Sequence, residues 1–533
     1  VWRFCVNNNS QLNYSASLLY FSHRRKEKNY IKGNTMKNAL ILITILTFSA
    51  CSKTPVVELP ITTSSPKALE FYKKAMLSEQ VGDGFEKRQY LDSALALDLN
   101  FVMALEMYGS QDPIKLREQR EMAKSLQNTV TDAEQLMLNI RNAYRDGNMD
   151  DALENAKKLV ENYSDTYESY VWLGQVQSDR YELDDAIKTL KKSIELNPDS
   201  YEAYSLLMGH HIAAGTQVML PEEKRDIELG VKYSDELIRI RGDHGFPYHF
   251  KANVYRQLGE FEKAKPLYEK SIEKRKGLSS EATAYLVSGH NFMFGGDLKT
   301  ARERYAKAIK LTKTPNGWFN LNYYLLVSYM FDNDYIGAIE HIDKIEQALE
   351  SKDFDEVSLL GRKATIHWQK MVCYAHNQME EDAYSALEQG SIFGEKRAEL
   401  LKDENTWKAV RSEKQFETAW VNILFGKYEE AKKNLAKLKE MQEKRNDPTA
   451  MYGYHGLMGM THLMEGNYQQ AVDNFNKGNE NNIYFNYFKG LSLRAAGEEE
   501  QAIKTFQDLA KINFSAWEIA IVKRLAQKQL DGV

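Results

Sequence analysis

"YVWLGQVQSDRYELDDAIKTLKKSIELNP", residues 170–198, reads as two amphipathic helices joined by a turn. Tyr170, Leu173 and Gly174 share one face of the first, and Ala186 and Leu190 share one face of the second. The small Ala186 lets the first helix approach closely, while the large residues fill the space between one hairpin and the next. Pro198 has no amide hydrogen and clashes with the preceding turn, so it stops the second helix. One such hairpin cannot bury its apolar face alone, so the pattern demands stacked copies.

The stretch resembles the tetratricopeptide repeat, a helix–turn–helix unit of about 34 residues. Tyr170 stands at its large aromatic position, Leu173-Gly174 at its Leu-Gly pair, Ala186 at the small residue of the second helix and Pro198 at the closing proline. Gln177 departs from it, where an aromatic is usual. The small-residue mark recurs at Ala152, Ala186, Gly230, Ala264, Ala301, Ala338, Ala383, Ala431, Ala471 and Ala502. The steps between marks are 34, 44, 34, 37, 37, 45, 48, 40 and 31 residues, and the step of 44 holds an insertion near "GTQVMLPEEKRD". A weaker early unit fits "GDGFEKRQYLDSALALDLN", with Lys87 in place of the small residue. Ten to eleven units are expected. The resemblance implies an all-α fold, a tetratricopeptide repeat α-solenoid, and no segment shows the β-branched alternation of strands.

Upstream, "MKNALILITILTFSAC" at 36–51 gives a start, one positive charge, a short apolar core and small residues before a cysteine. This resembles a bacterial lipoprotein signal peptide, with Phe48 where Leu is common, and implies that Cys51 is acylated and becomes the N-terminus. The expected layout is then residues 1–35 as upstream sequence from a misplaced start, 36–50 as signal peptide and 51–64 as tether. The main array covers 65–415 and a C-terminal array 416–533, the boundary resting on a composition shift at 390–416 with Trp407, Val410-Arg411 and Phe416. The end helix "SAWEIAIVKRLAQKQL" should cap the stack.

Without residues 1–50 the chain carries 63 Lys and Arg against 74 Asp and Glu. That acidic balance opposes nucleic-acid binding, which depends on neutralising phosphates. Cys5 lies upstream, Cys51 is the lipidation candidate, and Cys373 alone remains, which leaves no pair for a disulfide or a cysteine zinc site. No catalytic motif, phosphate loop or metal-ligand spacing is present, so no catalysis, metal or cofactor is expected. His210-His211, His244 and His249 read as packing or surface residues, and Cys373 as a small buried apolar residue.

In the family, positions 2, 5, 9, 12 and 13 of each first helix face a concave groove. The resemblance places Phe246, His249, Asn253, Arg256 and Gln257 there in one unit, then Leu286, His290 and Met293, then Tyr323, Val327 and Met330, with Trp368 and Tyr487 further on. These residues do not match the Lys/Asn/Arg clamp by which some members hold a terminal carboxylate. The expected function is a lipid-anchored scaffold in the cell envelope, at the outer membrane facing the periplasm, with a protein or peptide partner in the groove. A glycan-binding outer-membrane lipoprotein built on the same helices, or a sensor-type module derived from a signalling protein, are the alternatives.

Overall fold

The computed structural model describes residues 56–110, 112–212, 220, 224–443 and 449–532. Cys51 and the signal segment lie outside the described residues. Twenty-five α-helices and no strand occur among them. The first helices form antiparallel pairs: α1 (Pro66–Gln80) with α2 (Gly84–Leu97), α3 (Val102–Tyr108) with α4 (Pro113–Ser125), and α5 (Asp132–Asp146) with α6 (Met149–Asn162). Next come α7 (Tyr167–Asp179) with α8 (Leu183–Leu196), α9 (Tyr201–His211) with α10 (Ile227–Arg241), and α11 (Phe246–Gln257) with α12 (Phe261–Arg275). Then follow α13 (Glu281–Phe294) with α14 (Leu298–Leu311), α15 (Pro315–Phe331) with α16 (Tyr335–Leu349), and α17 (Glu356–His376) with α18 (Glu380–Leu401). The last pairs are α19 (Glu404–Leu424) with α20 (Tyr428–Glu443), α21 (Tyr452–Met464) with α22 (Tyr468–Lys477), and α23 (Ile483–Ala495) with α24 (Glu499–Lys511). A single helix, α25 (Trp517–Asp531), ends the chain.

Every small-residue mark falls on the second helix of its pair, and the nine alanines among them are fully buried. Four residues beyond the mark, Leu190, Tyr305, Phe475 and Phe506 press on a glycine of the first helix. A Cβ on Gly174, Gly289, Gly459 or Gly490 would come within 2.5–2.8 Å of those side chains. The glycine admits the large residue and the large residue fills what the glycine vacates. Burying each such side chain contributes about 1.5–3 kcal/mol. Five residues before the mark, the turn between the helices takes a left-handed residue, usually glycine, as at Gly147, Gly259 and Gly296. Gly82 does the same before Lys87, so the early unit is a true copy. Lys87 is buried there and pairs with Glu79 at 2.8 Å.

Twelve pairs exceed the ten to eleven expected. The pair α3 with α4 was not anticipated, since α3 spans only seven residues and leaves no full period to read. The insertion in the step of 44 falls in the link between α9 and α10. The steps of 45 and 48 come from helix length rather than loops: α17, α18 and α19 run to 21, 22 and 21 residues. Position 415 lies inside α19, and one cluster of buried apolar residues continues from Phe319 to Ala526 across it. Part of the tether is docked as well. Leu59 is buried, and Thr62 donates to both carboxylate oxygens of Glu134 from its amide (3.0 Å) and hydroxyl (2.6 Å).

Successive first helices pack on one another (α7 on α9, α11 on α13, α13 on α15, α17 on α19, α19 on α21), whereas successive second helices do not pack to that extent. The stack therefore curves with its first helices inside. The final helix follows α24 as the expected cap, packing on α24 most extensively and on α23 beside it, as each first helix packs on the pair before it. It also packs on α15, so the end of the stack reaches an earlier pair. Its composition explains this: Trp517, Ile519, Ala520, Ile521, Val522 and Ala526 are all buried, and 519–522 alone cover every side of a helix.

Candidate functional site

On the inner face, α11 carries Phe246, His249, Asn253 and Arg256 along a single stripe, as their offsets of three, four and three require. The stripe is not open to solvent. His249 is wholly buried, and Asn253 and Arg256 are each 2% exposed. The sequence expectation of an accessible groove at these residues is corrected by two facts: a polar ladder holds Asn253 and Arg256 from behind, and the turn of α1 with α2 and residues 512–516 lie against Phe246 and Arg256. In the ladder, Arg256 Nη1 donates to the Tyr268 hydroxyl (3.0 Å), which donates to Asn253 Oδ1 (2.7 Å). On the neighbouring α13, His290 Nδ1 lies 2.8 Å from the Tyr305 hydroxyl. Burial holds the His249 and His290 imidazoles well below the usual histidine range, with Arg256 pushing the same way, so both are neutral at physiological pH. Neither His249 nitrogen has a hydrogen-bond partner among the described residues.

The amino-terminal cover is the turn between α1 and α2. The Phe246 ring lies against Gly82, where a Cβ would sit 2.7 Å from it, and the Arg275 guanidinium stacks 4.8 Å from the ring centre. Asp83 accepts from the Ser279 hydroxyl, and Gln80 Nε2 donates to Glu202 at 2.6 Å.

The carboxy-terminal cover is the non-helical stretch Ile512–Ala516 with α25 behind it. Arg256 Nε donates to the Asn513 carbonyl (3.1 Å), and Asn513 Nδ2 donates to the Gln257 carbonyl (3.5 Å). Trp517 then enters an aromatic box. Trp368 meets it edge-on at 5.5 Å and Trp420 at 6.5 Å, Tyr484 lies tilted at 5.4 Å, and the Trp517 amide donates to the Tyr323 hydroxyl (3.3 Å). Ile519 joins the cluster of Leu286, Met293 and Leu321. Every one of these seats lies on a first helix. The inner face thus holds a peptide segment by a backbone carbonyl, an aromatic anchor and an apolar helix, and that segment is the chain's own.

Tyr323 and Trp368 therefore do lie on the inner face, half-buried against Trp517, while Leu286, Met293, Val327, Met330 and Tyr487 are core. Asn513 and Trp517 were missed by the sequence reading. The signal was present in "IAIV" at 519–522, four consecutive apolar residues that give this part of the helix no wet face. His210 is buried with Nε2 3.1 Å from Ser178 Oγ, and His211 Nδ1 accepts from the Asp226 amide at 3.0 Å, so both serve packing. Cys373 is fully buried and its thiol is pushed up to about 12 by burial, which makes it inert as a nucleophile. No helix among the described residues is long and apolar enough to cross a membrane.

Models of the tetratricopeptide repeat match residues 138–207 and 247–273. No curated protein matches the chain. Among solved structures, a tetratricopeptide repeat protein from Parabacteroides merdae is 14% identical, over 51% of this chain and 98% of its own, with a TM-score of 0.32. The crystal structure of MamA protein is 23% identical, over 34% of this chain and 91% of its own, with a TM-score of 0.26. YrrB, described as a repeat protein of this kind with an unusual peptide-binding site, is 19% identical, over 37% of this chain and 93% of its own, with a TM-score of 0.26.

Proposed function

We propose that this chain, a tetratricopeptide repeat protein, is a lipid-anchored scaffold of the cell envelope that holds a segment of a protein partner against its concave face and performs no chemistry itself. The observation that carries the reading is the seating of residues 512–531. An inner face that takes a backbone carbonyl on Arg256 and a tryptophan between Trp368 and Tyr484 has the equipment to hold a peptide. The first helices beyond that segment offer further surface. Gln175 on α7 occupies the family's groove position 9 and is half-buried beside Asp179.

The anchor rests on the sequence around Cys51. Two or three acyl chains hold a protein firmly to a bilayer where one does so only marginally. The protein should partition with membranes and incorporate a palmitate analogue, and Cys51→Ala should abolish both. Unlabelled protein in the aqueous fraction would overturn the anchor. For the scaffold, a photo-crosslinking residue at Gln175 should yield a discrete adduct in membranes that the same residue at the outward Lys188 does not. Equal adducts from both positions, or none from Gln175, would overturn the reading.

A further inference from the structure

The stretch from Glu58 to Ser64, expected to be part of a free tether, is held by the array along its whole length. Glu58 pairs with Lys73 on α1, Leu59 is buried, and Ile61 packs on the same apolar cluster as Leu59. Thr131 Oγ1 donates to the Pro60 carbonyl at 3.2 Å, and Thr62 hangs on Glu134 at the start of α5. Asp98, at the end of α2, accepts from the Thr63 hydroxyl and the Ser64 amide, each at 2.7 Å. Only residues 52–55 then separate Cys51 from Val56. Five Cα steps span about 18 Å at full extension. Acyl chains on Cys51 would place its backbone at the base of the headgroup layer, which takes up ~5–8 Å of that reach. The remaining ~10–13 Å is one helix diameter.

The Glu58–Lys73 pair decides which surface stands at this exit. Leu77 follows Lys73 by one turn of α1, and Val56, Val57 and Leu77 are each nearly half exposed. Lys67, Lys73 and Lys74 are exposed on the same helix, with Glu70 among them, and Lys74 lies over the rings of Phe71 and Tyr90 at 5.8 and 5.9 Å. A face of apolar tips and lysines tolerates close approach to anionic headgroups, where an acidic face would be repelled. We propose that α1 and residues 56–58 form the surface of the array that lies against the lipid headgroups, and that the short link from Cys51 to the docked stretch holds it there. This rests on the lipid-anchor reading and adds to it the face that the bilayer meets.

The test uses the full acylated chain in vesicles of phosphatidylethanolamine and phosphatidylglycerol, with a nitroxide on a fraction of the headgroups. A thiol-reactive fluorophore is attached through Leu77→Cys, and in a second variant through Tyr468→Cys on α22, which packs chiefly on α21 and α23. Cys373 is buried, so it does not compete for the label. The nitroxide should quench the label at position 77 about threefold more than the label at 468, or better, since the link leaves α1 so little reach. Inserting about twenty Gly and Ser residues between Pro55 and Val56 lengthens the link without touching the docked stretch, and should remove the difference. Equal quenching at both positions, in protein that floats with the vesicles, overturns the orientation and leaves the anchor standing. A difference that survives the insertion overturns it as well, because the short link is then not what holds the face. Protein that does not float with the vesicles overturns the anchor and the orientation together.

Discussion

Ten turns among the described residues place one residue in the left-handed region five positions before the mark on the second helix. Seven are glycine, and the others are Tyr181, Asn333 and Gln378. An L side chain pays roughly 1–2 kcal/mol for that conformation, and glycine pays nothing beyond its extra freedom when unfolded. Gly497 has open space around it, so Gly497→Ala should cost about 1 kcal/mol through the backbone alone, whereas Gln378→Gly should raise the urea midpoint slightly. Glu518 supplies a second check. Its carboxyl, raised to about 7 when folded, releases its proton near 4.5 when unfolded. The folded state thus binds more protons between those values, and stability falls as pH rises through that window. Lys523, lowered to about 8, adds a penalty that grows as pH falls from its ordinary 10.5 through 8. Seating of α25 should therefore be firmer at pH 5 than at pH 7.5, by ~1–3 kcal/mol. Glu518→Gln should flatten that dependence, as hydrogen exchange corrected for intrinsic rate would report. An unchanged profile would mean that Glu518 is solvated. At this scale the sequence located the stripe of α11 but not its cover. The spacing of Phe246, His249, Asn253 and Arg256 shows that they share a face, and nothing near them tells that Asn513, 257 residues on, lies on top.

Among the elements, the hairpins were the most legible because their signals are local: a small residue, a large one four later, a turn residue five before. Ala186 is fully buried against α7, and Ala186→Trp should force α7 and α8 apart at a cost of about 1–3 kcal/mol or more. Because each unit contacts its neighbours, exchange should accelerate in α5 to α10 and stay slow in α19 to α24. Uniform acceleration would show that the array unfolds as one block. The elements that escaped reading are those whose fate is set at a distance. The short α3 carries too few residues to show a period. The extended α17 to α19 hid their extra turns inside steps that also fit an insertion. For α25, position in the sequence suggested an end cap, and it does follow α24, but its further packing on α15 joins units far apart and leaves no local signal.

For the molecule as a whole, curvature matters most. An open stack of this kind would leave its inner face to solvent along its length. Here the turn of α1 with α2 and the segment 512–531 both reach the helices 246–294, so the chain closes on its own middle. That closure brings α25 into the continuous apolar cluster of the carboxy-terminal half of the array. Nothing in the repeat pattern encodes it, since the pattern specifies neighbours and closure joins units far apart. The most direct test is hydrogen exchange on the full chain with and without Trp517→Ala. If α25 is seated on the inner face, its amides are as protected as those of α13 and α15, and the substitution exposes 512–526 together with α11 to α15 while α5 and α6 stay unchanged. If α25 exchanges as a frayed end, and the substitution changes nothing beyond it, the inner face is open and the account is wrong.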